Sequence, residues 1–163
     1  MTTRTFSEAI ISEYYQLKGY FVETGVILKS SHGRDEVDLI AVKYNPKKEY
    51  YEVVQIEVGQ LVKNYKNNLK ILKNKFRDDK IASLKNYVKE RLGDIEINFT
   101  YRYLATYVSK KSYNYIRENT FPIWRFEDVI KNEIFPEIFE WKKNNKILLC
   151  IPRFQIISGL FRL

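Results

Sequence analysis

The sequence predicts an α/β protein in which a mixed β-sheet is flanked by α-helices and followed by a helical, apolar C-terminal extension. Three observations lead to this prediction. β-branched and aromatic residues are concentrated in four separate segments of the chain. Apolar residues recur at helical spacing in the segments between and around them. The order of these segments is helix, three strands, helix, strand and helices, which is typical of a sheet covered by helices.

The domain organisation follows from the absence of dividing segments. No internal repeat, low-complexity tract or Pro/Gly/Ser-rich linker interrupts the 163 residues. We therefore expect one domain over residues 1–163, with a core region of about residues 5–109 and a C-terminal extension of about residues 110–163.

The first third of the chain predicts a helix and three strands. In residues 5–18 apolar side chains recur every three or four positions, and Gly19 follows them as a stop signal. Residues 20–30 form the first β-rich segment, and the loop sequence SHGRD separates it from the next. Two further β-rich segments, residues 36–44 and 49–58, are joined by NPKK and predict a hairpin.

The pattern changes from strand to helix after Gly59. Apolar residues there follow a helical stripe, made up of Val62, Tyr65, Leu69, Leu72 and Phe76. Lysine and arginine residues follow the same rhythm beside the stripe, so we expect a helix with a basic face exposed to solvent. A further helical stretch is expected to reach Leu92, and residues 95–109 predict the fourth strand.

The last third of the chain is predicted to be mainly helical. Residues 112–120 predict a short helix, and residues 121–145 a helical region interrupted or kinked at Pro136. The apolar segment of residues 147–163 is suited either to closing the core or to forming a symmetric interface.

The charge of the chain favours an anionic partner. The net charge is +8 at pH 7 and the pI is about 9.4, as in proteins that bind nucleic acid or an anionic membrane surface. Between Gln60 and Leu92 there are ten Lys or Arg residues and three acidic residues. This single segment therefore carries most of the net charge.

No segment indicates secretion or membrane insertion. The N-terminus MTTRTFSEAI lacks an apolar signal-peptide region, and no apolar stretch is long enough to span a bilayer. A single cysteine, Cys150, excludes an internal disulfide and a multi-cysteine zinc site. We therefore expect a cytoplasmic protein without a membrane partner.

Asp38 and Glu57 are carboxylates on strands that are otherwise mostly apolar. Side chains alternate between the two faces of a strand, so Asp38 shares a face with Ile40 and Glu57 shares one with Val53. An ionised carboxylate is unfavourable in the interior unless it is compensated. Either a divalent cation such as Mg²⁺ bridges the two acids, or both lie on an exposed sheet edge. Strand alternation alone does not decide between these alternatives.

Together with Glu8 in the first helix, these residues resemble the PD-(D/E)XK nuclease superfamily. The segments EVDLIA and QIEVGQ match the aspartate and the E-x-K motifs of that family in the family's order, over roughly residues 5–75. The similarity is strongest to the branch that contains archaeal Holliday junction resolvases. The resemblance implies a restriction-endonuclease-like fold and metal-dependent hydrolysis of DNA phosphodiesters, with branched or damaged DNA among the expected substrates.

The same resemblance implies the metal ligands and the oligomeric state. Asp38 and Glu57 would hold one or two Mg²⁺ or Mn²⁺ ions, with the carbonyl of Val58 as a further ligand and Glu8 completing the site. Resolvases of this branch cut two strands in register, so the resemblance also implies a homodimer.

The chain departs from the family pattern at Gly59, where the motif has a lysine. Glycine has no ammonium group to stabilise the charge that develops on the phosphate. Gln60 is our first candidate for positioning the attacking water, if the backbone turns at Gly59. Lys63, and Lys29 or Arg34, are further candidates for supplying positive charge. The alternative is a site that binds metal poorly and cleaves nothing.

Basic residues predict the surface that contacts nucleic acid, although a solvated helix face would give a similar pattern. Lys and Arg contacts to phosphates provide affinity without sequence information. The predicted contacts are Lys63, Lys66, Lys70, Lys73 and Arg77, with Lys29 and Arg34. DNA is the expected partner, and the sequence does not distinguish it from RNA.

Three classes of function therefore remain at the level of sequence. The first is a metal-dependent nuclease. The second is a catalytically degenerate nuclease fold that binds nucleic acid or assembles a complex. The third is a protein-interaction domain whose basic helix meets an acidic partner.

Overall fold

The computed structural model describes residues 5–30 and 33–144. The predicted apolar segment of residues 147–163 lies outside the described residues. The helices and strands, in chain order, are α1 Phe6–Leu17, β1 Phe21–Ser30, β2 Gly33–Asn45, β3 Tyr50–Leu61, α2 Tyr65–Lys75, α3 Asp78–Leu92, β4 Ile97–Val108, α4 Lys110–Glu118, β5 Ile123–Arg125, α5 Phe126–Val129, a π-helical segment Ile130–Ile134, and α6 Phe135–Lys143.

The five strands of the described residues form one mixed sheet in the order β1-β2-β3-β4-β5. The first three strands are antiparallel, β4 is parallel to β3, and β5 is parallel to β4. Parallel neighbours require crossover connections, and α2 with α3 supplies the first while α4 supplies the second. The predicted α/β class and the flanking helices are confirmed. The three-residue strand β5 was not predicted, because the segment is too short for alternation to show.

Helices cover both faces of the sheet. On one face, α1 and the C-terminal helices pack over a core that includes Ile11, Leu39, Ile56 and Ile138. On the other face, α2, α3 and α4 pack over two clusters, and Leu72, Leu84 and Ile116 are among their fully buried members. Because side chains alternate along β3, Ile56 points to the first face and Glu57 to the second. The candidate carboxylates therefore lie beneath α2 and α3.

The C-terminal helical region contains the interruption predicted at Pro136. Proline has no N–H group, and its ring crowds the carbonyl four residues earlier, so regular α-helical bonding is lost there. A π-helical segment lies just before Pro136, and in it the Phe135 N–H donates to the Ile130 carbonyl. No helix within the described residues is both long enough and apolar enough to cross a membrane.

Candidate functional site

Asp38 and Glu57 are brought together where β2 and β3 separate. The last paired residues of this end of the hairpin are Leu39 and Ile56. Beyond them, the Asp38 carboxylate accepts a hydrogen bond from the Val58 N–H at 2.8 Å, in place of a backbone partner. Glu57, which precedes Val58 on β3, is fully buried. A side chain thus completes the hydrogen bonding of β3 at the point where the ladder opens.

The ladder on the other side of Asp38 is also interrupted. Pairing between β1 and β2 joins Thr24 to Leu39 and Val26 to Val37, which leaves Gly25 opposite Asp38. Gly25 has φ of 63°, a left-handed conformation that residues with a Cβ atom adopt only at an energetic cost. Both neighbours of β2 therefore deviate from regular pairing at Asp38.

Two lysines from the helices compensate the buried charge of Glu57. Lys75, the last residue of α2, donates from Nζ to Glu57 Oε2 at 2.7 Å. Lys80, in the first turns of α3, donates to Glu57 Oε1 at 3.0 Å and to the Glu36 carbonyl at 2.8 Å. Gln55 adds a third donor, from Nε2 to Glu57 Oε1 at 3.0 Å. We call Asp38, Glu57, Lys75 and Lys80 the charge cluster.

The two lysines differ in their access to solvent. Lys80 is 2% exposed, whereas the Lys75 side chain is 36% exposed. Lys75 was not predicted as a site residue, and the basic rhythm of the sequence predicted Lys80 on the solvent-exposed face of the helix, which is wrong because Lys80 is buried against Glu57. A signal for Lys80 was present in the sequence, since it shares a helical stripe with the apolar residues Leu84 and Val88. A lysine on a buried stripe requires an acidic partner, and Glu57 is that partner.

The position of Lys75 depends on how α2 begins. The buried Asn68 donates from Nδ2 to the Lys63 carbonyl at 2.7 Å and to Ser112 Oγ at 3.1 Å. The Asn64 side chain caps the helix by accepting from the Asn67 N–H at 3.0 Å. These contacts hold α2 against the end of β3 and against α4, and the helix then ends at Lys75 beside Glu57.

The electrostatics of the charge cluster shift the pKa of two of its members. Burial, followed by the neighbouring Glu57 carboxylate, raises the pKa of Asp38 to about 6, although Lys75 and the Val58 N–H act in the opposite direction. Burial acts to lower the pKa of Lys75, but the charges of Glu57 and Asp38 outweigh it, and the net shift is upward. Lys75 therefore stays an ammonium group, while Asp38 titrates near pH 6.

Glu8 lies near this cluster but has another partner. Its carboxylate accepts from the Thr5 N–H at 3.0 Å and its own N–H donates to Thr5 Oγ1 at 3.3 Å, so the pair forms a capping box that starts α1. The charge of Glu8 still contributes to the raised pKa of Asp38. Within the described ranges, no three Asp, Glu, His or Cys residues form a group that could hold a metal ion. The three predicted acids therefore do not form a closed ligand set.

The space beside Gly59 explains why no side chain stands there. Tyr103 is the β4 partner of Glu57, and its hydroxyl lies 2.8 Å from the point that a Cβ atom on Gly59 would occupy. Burial raises the pKa of Tyr103 to about 12, so this hydroxyl is protonated at neutral pH. A lysine at position 59 would collide with Tyr103. The positive charge comes instead from α2 and α3.

Gln60 does not join the charge cluster. The predicted irregularity at Gly59 exists, since the register between β3 and β4 shifts between Gly59 and Gln60. The side chain of the next residue, Leu61, is nevertheless buried beneath α2. The Gln60 side chain points away from that face and is exposed. The structure therefore gives Gln60 no contact with Asp38 or Glu57.

The predicted basic surface is retained in part. Lys63 lies just before α2, Lys66, Lys70 and Lys73 lie on α2, and all four are exposed. Arg77 differs from the prediction because it is ion-paired with Asp35, and its Nε lies 2.8 Å from Asp79 Oδ1. Its charge is therefore neutralised within the fold.

Lys29 and Arg34 lie away from the carboxylates. They are exposed and face one another across β1 and β2. Arg34 is four residues from Asp38, a separation of about 13 Å along an extended strand. Neither residue replaces the missing motif lysine.

Comparisons with known proteins give little beyond this geometry. No family model matches the sequence, and no curated protein matches it. One solved structure similar to this chain is described as a protein of unknown function, AF1548. It has a TM-score of 0.42 and 12% sequence identity, and the match covers 72% of this chain and 55% of that one. This chain therefore spans about half the length of that protein, and a likeness this distant implies nothing about function.

Proposed function

We propose that this protein is a metal-dependent nuclease of the PD-(D/E)XK type, which hydrolyses DNA phosphodiester bonds and uses Lys75 in place of the lysine absent at Gly59. The observation that carries the proposal is the contact between the Lys75 ammonium and the buried Glu57 carboxylate, beside an Asp38 of raised pKa. We further propose that it acts as a homodimer on branched or damaged DNA, as the resemblance to resolvases implies, and that it does so in the cytoplasm.

The energetics of the charge cluster support a chemical role. Buried ion pairs contribute little net stability, because desolvation offsets the attraction between the charges. Two carboxylates placed together are less favourable still, and the pKa of Asp38 is raised first by burial and then by the charge of Glu57. Groups with perturbed pKa values are concentrated at functional sites. A cluster with this arrangement is therefore better explained by catalysis than by folding.

The oxygen donors present fit Mg²⁺ or Mn²⁺. Magnesium in proteins is held by one or two carboxylates and keeps several water ligands, so a closed set of three acids is unnecessary. Asp38 and Glu57 Oε2 would hold the ion. The carbonyl of Val58 would join them, because the N–H and C=O of one strand residue point to the same side and the Val58 N–H faces Asp38. When bound, the metal activates water and offsets negative charge on the phosphate.

The two lysines then have different roles. Lys75 is partly exposed, so its ammonium can contact a phosphate oxygen as well as Glu57 and can stabilise the negative charge that develops there. Lys80 is buried and is held by the Glu36 carbonyl, so it fixes the orientation of Glu57. Lys66, Lys70 and Lys73 on the exposed side of α2 would bind the DNA backbone nearby.

Cleavage of labelled DNA substrates tests the proposal. The substrates are linear duplex, single strand, nicked duplex, flap and four-way junction, each with EDTA, Mg²⁺ or Mn²⁺. We expect metal-dependent cleavage that falls at least about 100-fold in Asp38→Asn and Glu57→Gln. Lys47→Ala, an exposed change in the turn between β2 and β3 and outside the proposed DNA surface, should cleave normally. Cleavage that persists in EDTA, or in both carboxylate variants, would contradict the proposal.

One observation favours a second function, that of a nucleic-acid-binding module without catalysis. Both oxygens of Glu57 already accept hydrogen bonds from Lys75, Lys80 and Gln55, so its charge is compensated without a metal ion. Under this alternative no substrate is cut, but DNA binding is retained and weakens steeply with salt. If neither cleavage nor DNA binding is found, the basic face of α2 would instead meet an acidic protein partner.

A further inference from the structure

The Tyr103 hydroxyl lies next to Gly59, at the edge of the charge cluster. Tyr103 lies on β4 directly beside Glu57, and its side chain points to the same face of the sheet. Its hydroxyl fills the space in front of Gly59, two residues beyond Glu57 on the strand. The charges of Lys75, Asp38 and Glu57 all act on it. The hydroxyl therefore lies at the charge cluster rather than in the apolar core.

This hydroxyl has no hydrogen-bond partner among the described residues. The Tyr103 residue as a whole is only 4% exposed, but its hydroxyl oxygen is not one of the fully buried unpaired side-chain atoms, so it reaches solvent and is open to a ligand. The strand position is fixed independently, because the Tyr103 N–H donates to the Pro122 carbonyl at 3.0 Å. The ring is also held in the cluster formed by Leu72, Phe76 and neighbouring apolar residues. Tyr103 is thus a rigidly placed donor aimed at the candidate site.

We propose that the Tyr103 hydroxyl is a substrate-contacting donor, which hydrogen-bonds to a non-bridging oxygen of the scissile phosphate from the position left open by Gly59. The inference rests on the proposed nuclease function and deepens it. A lysine at position 59 would supply both a positive charge and a hydrogen-bond donor. In this chain Lys75 supplies the charge and Tyr103 supplies the donor.

The variant Tyr103→Phe isolates the hydroxyl because it keeps the ring. We expect kcat for DNA cleavage to fall about 100-fold, with a smaller change in KM, as for the loss of one donor to a transition-state oxyanion. The matched control is Tyr101→Phe, a hydroxyl deletion two residues earlier on the same strand, which should leave kcat unchanged. An unchanged kcat in Tyr103→Phe, with active wild-type protein, would overturn the inference and leave the nuclease function standing.

A second measurement tests the geometry without activity. A Cβ atom at position 59 would lie 2.8 Å from the Tyr103 hydroxyl but 3.8 Å from the ring carbon that bears it. Gly59→Ala should therefore lower the Tm of the otherwise wild-type protein, and should have little effect in a Tyr103→Phe background. Equal destabilisation in both backgrounds would show that the hydroxyl does not occupy this space, and would overturn the inference.

A wild-type protein that cuts no substrate would refute the proposed function, and the inference would then be tested by binding. Affinity for four-way junction and duplex DNA would be measured in Mg²⁺. A dissociation constant raised about five-fold in Tyr103→Phe, and unchanged in Tyr101→Phe, would support the hydroxyl as a phosphate contact. Equal affinity of Tyr103→Phe and the wild-type protein would overturn it.

Discussion

Two ionic groups lie on opposite faces of the same sheet, one partly exposed and one largely buried, and they differ in how their charges are balanced. On the α1 face, Arg102 forms a bidentate pair with Glu133 at 3.0 and 2.6 Å, and its guanidinium stacks 4.5 Å from the Trp124 ring centroid. On the α2 and α3 face, two lysines meet two carboxylates, and the pKa of Asp38 is raised to about 6.

The two groups differ both in burial and in how their charges are matched. The Arg102 pair joins one acid to one base with good geometry, and it ties β4 to the π-helical segment. The charge cluster instead places like charges together at an opening of the strand ladder. A buried charge is therefore a weak sign of a functional site, whereas unresolved repulsion between buried charges is a stronger one.

The largest expected effect is on stability, and it comes from Lys80→Met. This change leaves Glu57 with one ammonium partner fewer in a fully buried position. We expect a loss of about 3–5 kcal/mol in the free energy of unfolding, measured by urea denaturation. Lys89→Met on the same helix removes only an exposed pair with Asp94 and should lose less than about 1 kcal/mol. Similar losses in the two variants would show that Glu57 does not depend on Lys80.

The next effect is on activity, in Lys75→Met. Glu57 keeps Lys80 and Gln55 as partners, so stability should fall less than in Lys80→Met. We expect cleavage to fall about 100-fold, because the charge near the phosphate is lost. Partial recovery in Lys75→Arg would support a role for positive charge. A fully active Lys75→Met enzyme would show that Lys75 does not supply the positive charge at the phosphate.

The pH dependence of stability tests the raised pKa of Asp38. An unfolded aspartate has a pKa of about 3.9, and the folded protein raises that of Asp38 to about 6. The folded state therefore binds more protons between about pH 4 and pH 6, and stability must fall as the pH rises through this range. Subtracting the unfolding free energies of Asp38→Asn from those of the wild-type protein should isolate this decline. A flat difference across the range would show that neither burial nor the charge of Glu57 raises the pKa of Asp38 in the folded protein.

Glu133→Gln should affect stability and leave cleavage unchanged. The Arg102 guanidinium would lose its charged partner but keep the Tyr15 hydroxyl and the Trp124 ring. We expect a loss of about 1–3 kcal/mol, lower than for Lys80→Met because both side chains are partly exposed. Unfolding and cleavage assays on the same preparation measure both properties. A loss of cleavage in the folded Glu133→Gln variant would show that the Arg102–Glu133 pair also takes part in function.

The smallest effect is expected from single lysines on the exposed side of α2. Lys70→Ala should reduce the dependence of log Kd on log salt concentration by about 0.9 for duplex DNA, as for one phosphate contact. Arg77→Ala should leave that slope unchanged, because its charge is already neutralised by Asp35 and Asp79. A larger slope change in Arg77→Ala than in Lys70→Ala would show that DNA does not bind along the exposed side of α2.

The parts of this structure that depend on local pattern were predictable from the sequence. Helical spacing gave α1, and alternation with a turn sequence gave the hairpin of β2 and β3. The same alternation predicted that Asp38 shares a face with Ile40 and that Glu57 shares one with Val53, and the register of the hairpin brings these onto the same side of the sheet. These features depend only on the periods of strands and helices, which the order of residues records directly.

The lysines of the site could not be predicted in this way. Lys75 and Lys80 contact Glu57 across sequence separations of 18 and 23 residues. Their reach depends on how α2 and α3 pack on the sheet, and local spacing does not record that packing. The same limit applies to Arg77, which the basic rhythm placed in solvent but which the packing of α3 against β2 placed beside Asp35.

The close approach of Tyr103 to Gly59 also constrains the routes by which this sequence can change. A lysine introduced at position 59 alone meets the Tyr103 hydroxyl, and a smaller residue introduced at position 103 alone leaves a void beneath α2. Replacement of Gly59 is therefore unfavourable while the Tyr103 hydroxyl is present, and the hydroxyl must be lost first for a side chain to fit at position 59. In the terms of mutational landscapes, the two sites are epistatic, and the chain is held in its present form by a contact between neighbouring strands.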